Sequence, residues 1–538
     1  MPTEEGLHSH GKDTGQPWWR PFRWHFVILL AVIVFLGVLR WRLADMPLER
    51  DEGEYAYTAQ LILQGIPPYQ LAYNMKLPGT YAAYAAIFSV FPQTSRGIHL
   101  GLLIVNTLSV ILLYGIVARL FGSLSGTVAG ASYALLSTHQ SVLGFAAHAT
   151  HFVVLAALVG IILLLRAEET QRTGLFLWSG LAFGIAFLMK QPGLLLGAFG
   201  FLYLAIQCWP KNRFDWASWV RKMGVFLLAG ALPFALTCAL LYRAGVYQNF
   251  WFWTFSYARQ YATSLPARVG LEVLTTNFSS ILSAMPGLWA LAFVGICAVF
   301  WDATVRCHYL FLFGLLVFSC AAVCPGFHFR EHYFVLMLPA VALLIGVAIS
   351  SIARLAGRFN SRLLHVVPVL LFVSACVNAI YHNADFYFKL TPAQACRFCY
   401  PREPFLEAPS IARYLRQHTA PTDTVMVLGS EPEIYFYAHR HSASGYIYTY
   451  SLVEDQAYWP AMQKQMMQEV EANRPAYVVF VDAWGSWNAR PGTPQATALS
   501  VWMNQYISNE FEDDGIVELT QPEMQYSFGE IRIFKRKG

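Results

Sequence analysis

Residues 49–57 read ERDEGEYAY and gather Glu49, Asp51, Glu52 and Glu54 around Arg50. Adjacent carboxylates suit general-base work, in which one takes a proton from a hydroxyl and a neighbour supports it. Other ionisable residues recur at a few corners between apolar runs. They are Lys76 in NMKLPG, His148 and His151 in GFAAHATHF, Lys190 in FLMKQPG, and His328, Arg330, Glu331, His332 and Tyr333 in PGFHFREHYF. Lysines and an arginine facing a carboxylate base suit a displacement whose leaving group is anionic, because fixed cations stabilise the charge that develops on it. Arginine in particular matches the geometry of a phosphate. Phosphate leaves readily, so no second carboxylate is required as an acid, in contrast to a glycosidase.

Each of these residues also has a structural reading. Carboxylates are favoured at a helix N-terminus by its dipole, and a lysine at the end of an apolar helix can snorkel to the interface. Asp51 is therefore read as the base, with Glu52 assisting it or orienting the attacking group. Glu49, Arg50 and Glu54 are read as solvated or capping residues. Lys76, Lys190, Arg330 and Tyr333 are read as holding the phosphate and its lipid, and His148 and His332 as substrate contacts.

The elements that must position these groups follow from composition. The chain has 538 residues, 56% hydrophobic and only 13% charged, against about 25% charged in an ordinary soluble domain. That excess of apolar residues implies a polytopic α-helical membrane protein. Apolar runs able to cross roughly 30 Å of hydrocarbon lie near 24–43, 97–118, 125–145, 151–165, 174–190, 193–208, 223–243, 279–300, 308–325, 333–351 and 363–381, about eleven in all. Intramembrane ionisable groups are costly and mark function. Lys12, Arg20 and Arg23 precede the first run, and Arg119, Arg166, Arg172, Lys211, Arg213, Arg221, Lys222, Arg306, Arg354, Arg358 and Arg362 fall in alternate connections. By the positive-inside rule the tail 1–23 is then cytoplasmic. The acidic stretch, the lysine corners and PGFHFREHYF consequently share the outer side.

The first external loop, about 44–96, is expected to fold back on the membrane. GEYAYTAQLILQG has Tyr55, Ala59 and Ile62 on one face, as in an amphipathic surface helix, and PGTYAAYAAIFSVFP is too short to cross. Residues 244–278 carry the aromatic run YQNFWFWTFSYARQY, suited either to interface anchoring or to sugar faces. Residues 382–538 turn polar. There SIARYLRQH reads as a helix, and DTVMVLG, AYVVFVD and GEIRIFKRK read as strands, a pattern of a small extracytoplasmic α/β domain. The turn GSEP follows the first strand, where α/β sheets often bind ligands. Of nine cysteines, Cys396 and Cys399 form a single CxxC, read as a local disulfide or two unpaired thiols because zinc sites need a second pair.

The order and shared sidedness of these motifs carry a resemblance. The acidic pair after the first span, KLPG, KQPG and REHYFVLMLPA resemble the GT-C membrane glycosyltransferases. The similarity is strongest to the bacterial branch related to dolichyl-phosphate-mannose protein mannosyltransferases, which includes the lipid A aminoarabinose transferase and the rhizobial lipopolysaccharide-core transferases. It spans residues 24–381 and, loosely, the tail. The resemblance implies a polyprenyl-phosphate sugar donor, an envelope lipid, glycan or protein acceptor, inversion at the anomeric carbon, and Asp51 as base. It also implies no essential metal or other cofactor and a site on the periplasmic or extracellular face of a bacterial inner membrane. Lys76 departs from the family pattern, since leucine stands where a lysine-proline-proline motif has its first proline. No nucleic-acid partner is expected. The rival readings are a multi-span transporter, for which mid-membrane charges and a repeat between halves would be needed, and a lipid-diphosphate-dependent glycan ligase.

Overall fold

The computed structural model describes residues 23–209, 216–359, 361–487, 492–521 and 526–538. Lys12, Arg20, Lys211 and Arg213 lie outside the described residues. Nine helices lead from the start of this region: α1 (Arg23–Arg42), α2 (Arg50–Leu63), α3 (Gly79–Phe88), α4 (Ser95–Phe121), α5 (Ser123–Leu136), α6 (Ala149–Thr170), α7 (Thr173–Met189), α8 (Gly193–Gln207) and α9 (Trp216–Arg243). Further apolar helices occupy Ala267–Ala284, Pro286–Cys297, Tyr309–Val323, Leu338–Ala356 and Arg362–His382.

Six of the described helical segments are long and apolar enough to cross a membrane, or up to seven if a bent pair counts as one span. Burial grades them. The segment Glu331–Ala356 has 94% of its most apolar window buried and stands at the centre, whereas α9 has 17% and Leu363–His382 has 11%. On α9, Leu227, Leu228, Leu232, Leu236 and Leu240 are exposed. In water such a face would be unstable, and lipid is the solvent that suits it. The protein is thus a multi-pass membrane protein.

The expected run 279–300 is not one straight span. Its helices Ala267–Ala284 and Pro286–Phe300 meet at 101°. Pro286 opens the second of them, where a missing N–H costs nothing but the preceding helix cannot continue through it. The run 125–145 is also shorter than expected, since α5 ends at Leu136 and a turn follows to Val142. By contrast, the run 151–165 belongs to a 22-residue helix, α6.

The C-terminal region forms a five-stranded sheet in the order β2-β1-β3-β5-β4, built from β1 (Thr424–Leu428), β2 (His441–Ser442), β3 (Tyr477–Ala483), β4 (Phe511–Gln521) and β5 (Tyr526–Arg536). Strand β1 pairs in parallel with β2 and β3, and β5 runs antiparallel between β3 and β4. The strands read from DTVMVLG, AYVVFVD and GEIRIFKRK are β1, β3 and β5. Strand β4 was not legible, because Asp513, Asp514 and Gly515 are poor strand formers and the register shifts between Asp513 and Gly515. Cys396 and Cys399 are free thiols.

Helix α2 departs most from expectation. It is not a surface helix: Tyr55 and Ala59 are buried on one side, while Arg50, Glu52, Glu54, Tyr57 and Gln60 are buried as well. The physical reason is that the C-terminal sheet domain covers it. Gln60 donates to the carbonyl of Phe436, and the Tyr57 hydroxyl accepts from the Ser442 N–H. One hydrophobic cluster runs from Tyr55, Ala56 and Tyr84 to Ile411, Val427 and Ile531. At Gly53 the approach is so close that a Cβ would lie 2.5 Å from the backbone nitrogen of Glu433.

That contact makes a stability prediction. Alanine in a helix interior normally gains about 1 kcal/mol over glycine, but Gly53→Ala is expected to lose about 1–3 kcal/mol through overpacking. Gly115 in α4 has no atom within 4 Å of its built Cβ, so Gly115→Ala is expected to be neutral or stabilising. Thermal unfolding of the two variants in detergent checks the pair.

Candidate active site

The start of α2 is shaped by a capping box. The Glu49 carboxylate accepts from the Glu52 N–H (2.9 Å), and the Glu49 N–H donates to Glu52 Oε2 (3.4 Å), which satisfies orphan donors of the first turn. Glu49 is thus a capping residue, as read. Asp51 sits one residue inside, with its carboxylate partly accessible.

Lys76 meets it from the KLPG corner. Its Nζ donates to Asp51 Oδ1 (2.7 Å) and to Glu54 Oε2 (2.5 Å) and lies 4.6 Å from the centre of the Tyr55 ring. Glu54 is not solvated. It is completely buried and also accepts from the hydroxyls of Tyr81 (2.5 Å) and Tyr448 (2.9 Å). Burial pushes Asp51 up, but the Lys76 ammonium overrides it and holds the carboxyl well below its ordinary value. Burial raises Glu54. Asp51 is therefore ionised, and the lysine beside it is also held by a second acid.

Arg50, also expected at the surface, is buried instead. Its Nη2 lies 2.7 Å from Glu403 and 3.2 Å from Glu431, and its Nε donates to the Ser430 carbonyl. The GSEP turn thus serves as a dock for α2. Glu52 is fully buried, and its Oε1 accepts from the Ala147 N–H (2.6 Å) and pairs with His99 Nε2 (3.1 Å). In this state Glu52 anchors the segment that leads to His148.

His148 caps α6 from the corner GFAAHATHF, and His332 follows Arg330. Their rings stack with centroids 4.0 Å apart, and each has a nitrogen within 3.9 Å of Asp51 Oδ2. Both ring nitrogens of His148 are buried without a hydrogen bond, and burial lowers its pKa to about 4, so the ring is neutral at pH 7. Asp51, His148 and His332 offer ligand atoms within 4.8 Å of one another and could hold a cation. His151 is buried deeper, on α6.

The KQPG corner is locked to the KLPG corner. Gln191 donates to the Met75 carbonyl (2.8 Å) and Thr80 to the Met189 carbonyl (2.8 Å). Lys190 lies 3.9 Å from the centre of the Tyr333 ring. Burial depresses its pKa to about 7, with Lys76 and Arg330 among the charges that act on it. Arg330 follows Phe327 (φ 55°) and Phe329 (φ 39°), left-handed backbone that non-glycine residues adopt only at an energetic cost. The Tyr261 hydroxyl beside it and Asp51 raise its pKa. The corners that carry Asp51, Lys76, His148, Lys190 and Arg330 thus converge.

Sequence reasoning missed the contribution of the C-terminal domain. Tyr448 bonds Glu54 and the Arg50 carbonyl, and the Tyr450 ring lies 5.4 Å from the Arg50 guanidinium. The alternating tyrosines of GYIYTYS were the available signal. The aromatic run divides in role. Trp253 stacks on Tyr73 and meets Tyr446, which fastens the sheet domain to the first loop, while Tyr261 stacks on His328 next to Arg330.

A family model described as dolichyl-phosphate-mannose-protein mannosyltransferase matches residues 76–243. No curated protein sequence matches the chain. Its fold is similar to that of ArnT from Cupriavidus metallidurans bound to undecaprenyl phosphate, with TM-score 0.56 and 15% identity over 95% of this chain and 97% of that one. The apo form of the same protein matches with TM-score 0.54 and 15% identity over 94% and 97% of the two chains. The apo oligosaccharyltransferase of Archaeoglobus fulgidus matches with TM-score 0.50 and 13% identity over 90% of this chain and 72% of that one. At such identities the likeness is one of fold. The family model covers residues 76–243 of the 538, and the likeness to these solved structures spans 90% or more of the chain as a shared polytopic fold.

Proposed function

We propose that the protein transfers a sugar from a polyprenyl-phosphate-linked donor to an envelope lipid, glycan or protein acceptor at the extracytoplasmic face of a bacterial inner membrane. The observation that carries this reading is the convergence of Lys76, Lys190 and Arg330 from separate corners on one ionised aspartate. A solved structure of similar fold was bound to undecaprenyl phosphate, which supports a lipid phosphate as the carrier.

The chemistry is a single displacement. The acceptor oxygen attacks the anomeric carbon, the bond from that carbon to the phosphate oxygen breaks, and the configuration inverts. The acceptor proton passes to Asp51. A carboxylate held below its ordinary pKa is a weak base, but it need accept the proton only late, when the bonded hydroxyl has become strongly acidic. Lys190 and Arg330 take up the charge that develops on the departing phosphate. Tyr333 lines its lipid. Lys76 keeps Asp51 ionised, and Glu52 positions the His148 segment. No metal is assigned an essential role, because the lysines and the arginine already supply the positive charge that a cation would provide.

Asp51→Asn is expected to lower turnover at least about a hundredfold while leaving the affinity for polyprenyl monophosphate within about threefold. Retention of full transfer by this variant would remove Asp51 from the mechanism.

Lys190 makes the reading pH-dependent. With its pKa at about 7, it is charged below that pH and neutral above it. A bound phosphate favours the ammonium, so binding takes up a proton where the free lysine is neutral. Affinity for polyprenyl monophosphate is therefore expected to be level below pH 7 and to fall by up to about tenfold per pH unit above it. Lys190→Arg should abolish that limb, since a guanidinium stays charged. Calorimetric titration across this range checks both.

Transfer is also expected to continue in excess EDTA. Loss of turnover that is restored by a divalent cation would instead assign a metal to Asp51, His148 and His332.

A further inference from the structure

The C-terminal domain holds a cavity in a region that the proposed transfer chemistry does not use. A cavity of about 500 Å³ opens between the helix Trp459–Asn473, the helix Pro494–Glu510 and the end of β5. This volume lies within the range of small-ligand pockets. One wall is aromatic: Trp502 and Tyr506, one helical turn apart, stack with centroids 5.0 Å apart and planes at 11°.

These rings are held in place. Trp502 Nε1 donates to Glu471 (2.9 Å), Arg536 Nη2 donates to the Tyr506 hydroxyl (2.8 Å), and Arg536 is itself fixed by Glu510 (2.8 Å) and the Pro475 carbonyl (2.9 Å). A platform made rigid in this way loses little conformational entropy when a ligand stacks on it. Against it stand three polar side chains, Arg474, Gln505 and Asn509. Arg474 ends its helix at φ 45°, ψ 64°, a conformation usually left to glycine or asparagine, so this arginine is kept in its place at a backbone cost.

The lining contains Glu471, Glu510, Arg474 and Arg536, two charges of each sign. Such a balance gives no attraction for a phosphate or a nucleotide. A rigid aromatic face, planar amides and a guanidinium fork instead match a ring with apolar C–H bonds on its face and hydroxyls around its edge. We propose that this cavity is a binding subsite for neutral pyranose carbohydrate, taking one or two sugar units of the acceptor glycan. Its assignment to the acceptor rests on the proposed glycosyl transfer. Carbohydrate binding itself does not.

Saturation-transfer NMR on the full-length protein in lipid nanodiscs, with maltotriose, cellotriose and chitotriose as probes, tests the subsite. At least one trisaccharide is expected to receive saturation on its ring protons. Trp502→Ala is expected to weaken that binding about fivefold or more. Gln505→Ala, at an exposed helix position, is expected to weaken it about threefold with the unfolding temperature unchanged. Asp51→Asn should bind like the parent, so failure of the transfer reading leaves this result intact. Absence of saturation transfer to all three probes, or an unchanged signal in both cavity variants, overturns the subsite.

Discussion

The ammonium of Lys76, held between Asp51 and Glu54 beneath the sheet domain, is the interaction on which the rest of the site depends. Two carboxylates this close in a dry setting would repel, and one would take up a proton. The lysine keeps the more accessible of the two, Asp51, ionised, while burial raises Glu54. Glu54 in turn needs partners for its remaining lone pairs, and it finds them in Tyr81 from α3 and Tyr448 from the sheet domain. A buried charge cluster is stable only when such bonds are complete, so the first loop and the C-terminal domain are tied to the same few atoms.

That requirement explains the architecture above α2. Arg50 reaches Glu403, Glu431 and the Ser430 carbonyl, and Gly53 lets the helix Glu433–Ala438 come into contact. The sheet domain is therefore a roof that removes water from the acidic helix, which strengthens every electrostatic interaction beneath it. Below, the KLPG and KQPG corners are joined through Gln191 and Thr80, which sets Lys76 and Lys190 relative to each other. Loop residues before Arg330 hold left-handed backbone, and strain of this kind persists only where its surroundings impose it.

Much of this was legible in the chain. Each of the expected apolar runs lies at least partly on helix, because a segment in lipid must satisfy its own backbone and the helix does so locally, although 125–145 leaves helix at Leu136 and 279–300 is broken before Pro286. Asp51, Lys76, Lys190, His148 and Arg330 stood out because charge is scarce in such a sequence. Local signals failed where long-range contacts decided the outcome. Glu54 and Arg50 read as solvated, and α2 read as a surface helix, since neither Tyr448 nor Glu403 is near them in sequence. The break at Pro286 and the register shift in β4 were likewise masked, the first by continuous hydropathy and the second by acidic residues that disfavour strands.

The sequence by itself determined which segments are apolar, where they are interrupted and which interruptions carry ionisable groups, because these follow from solvent preference and local backbone chemistry. Only the tertiary structure decided which acid is paired, which is capped and which is left accessible. Four carboxylates within six residues are chemically alike as a string. They become a cap in Glu49, an ionised candidate base in Asp51, an anchor in Glu52 and a lysine clamp in Glu54 only when partners from α3, α4, the Ala147 corner and the sheet domain close around them. Burial and Coulomb energy depend on distance in space, and the folded chain sets those distances.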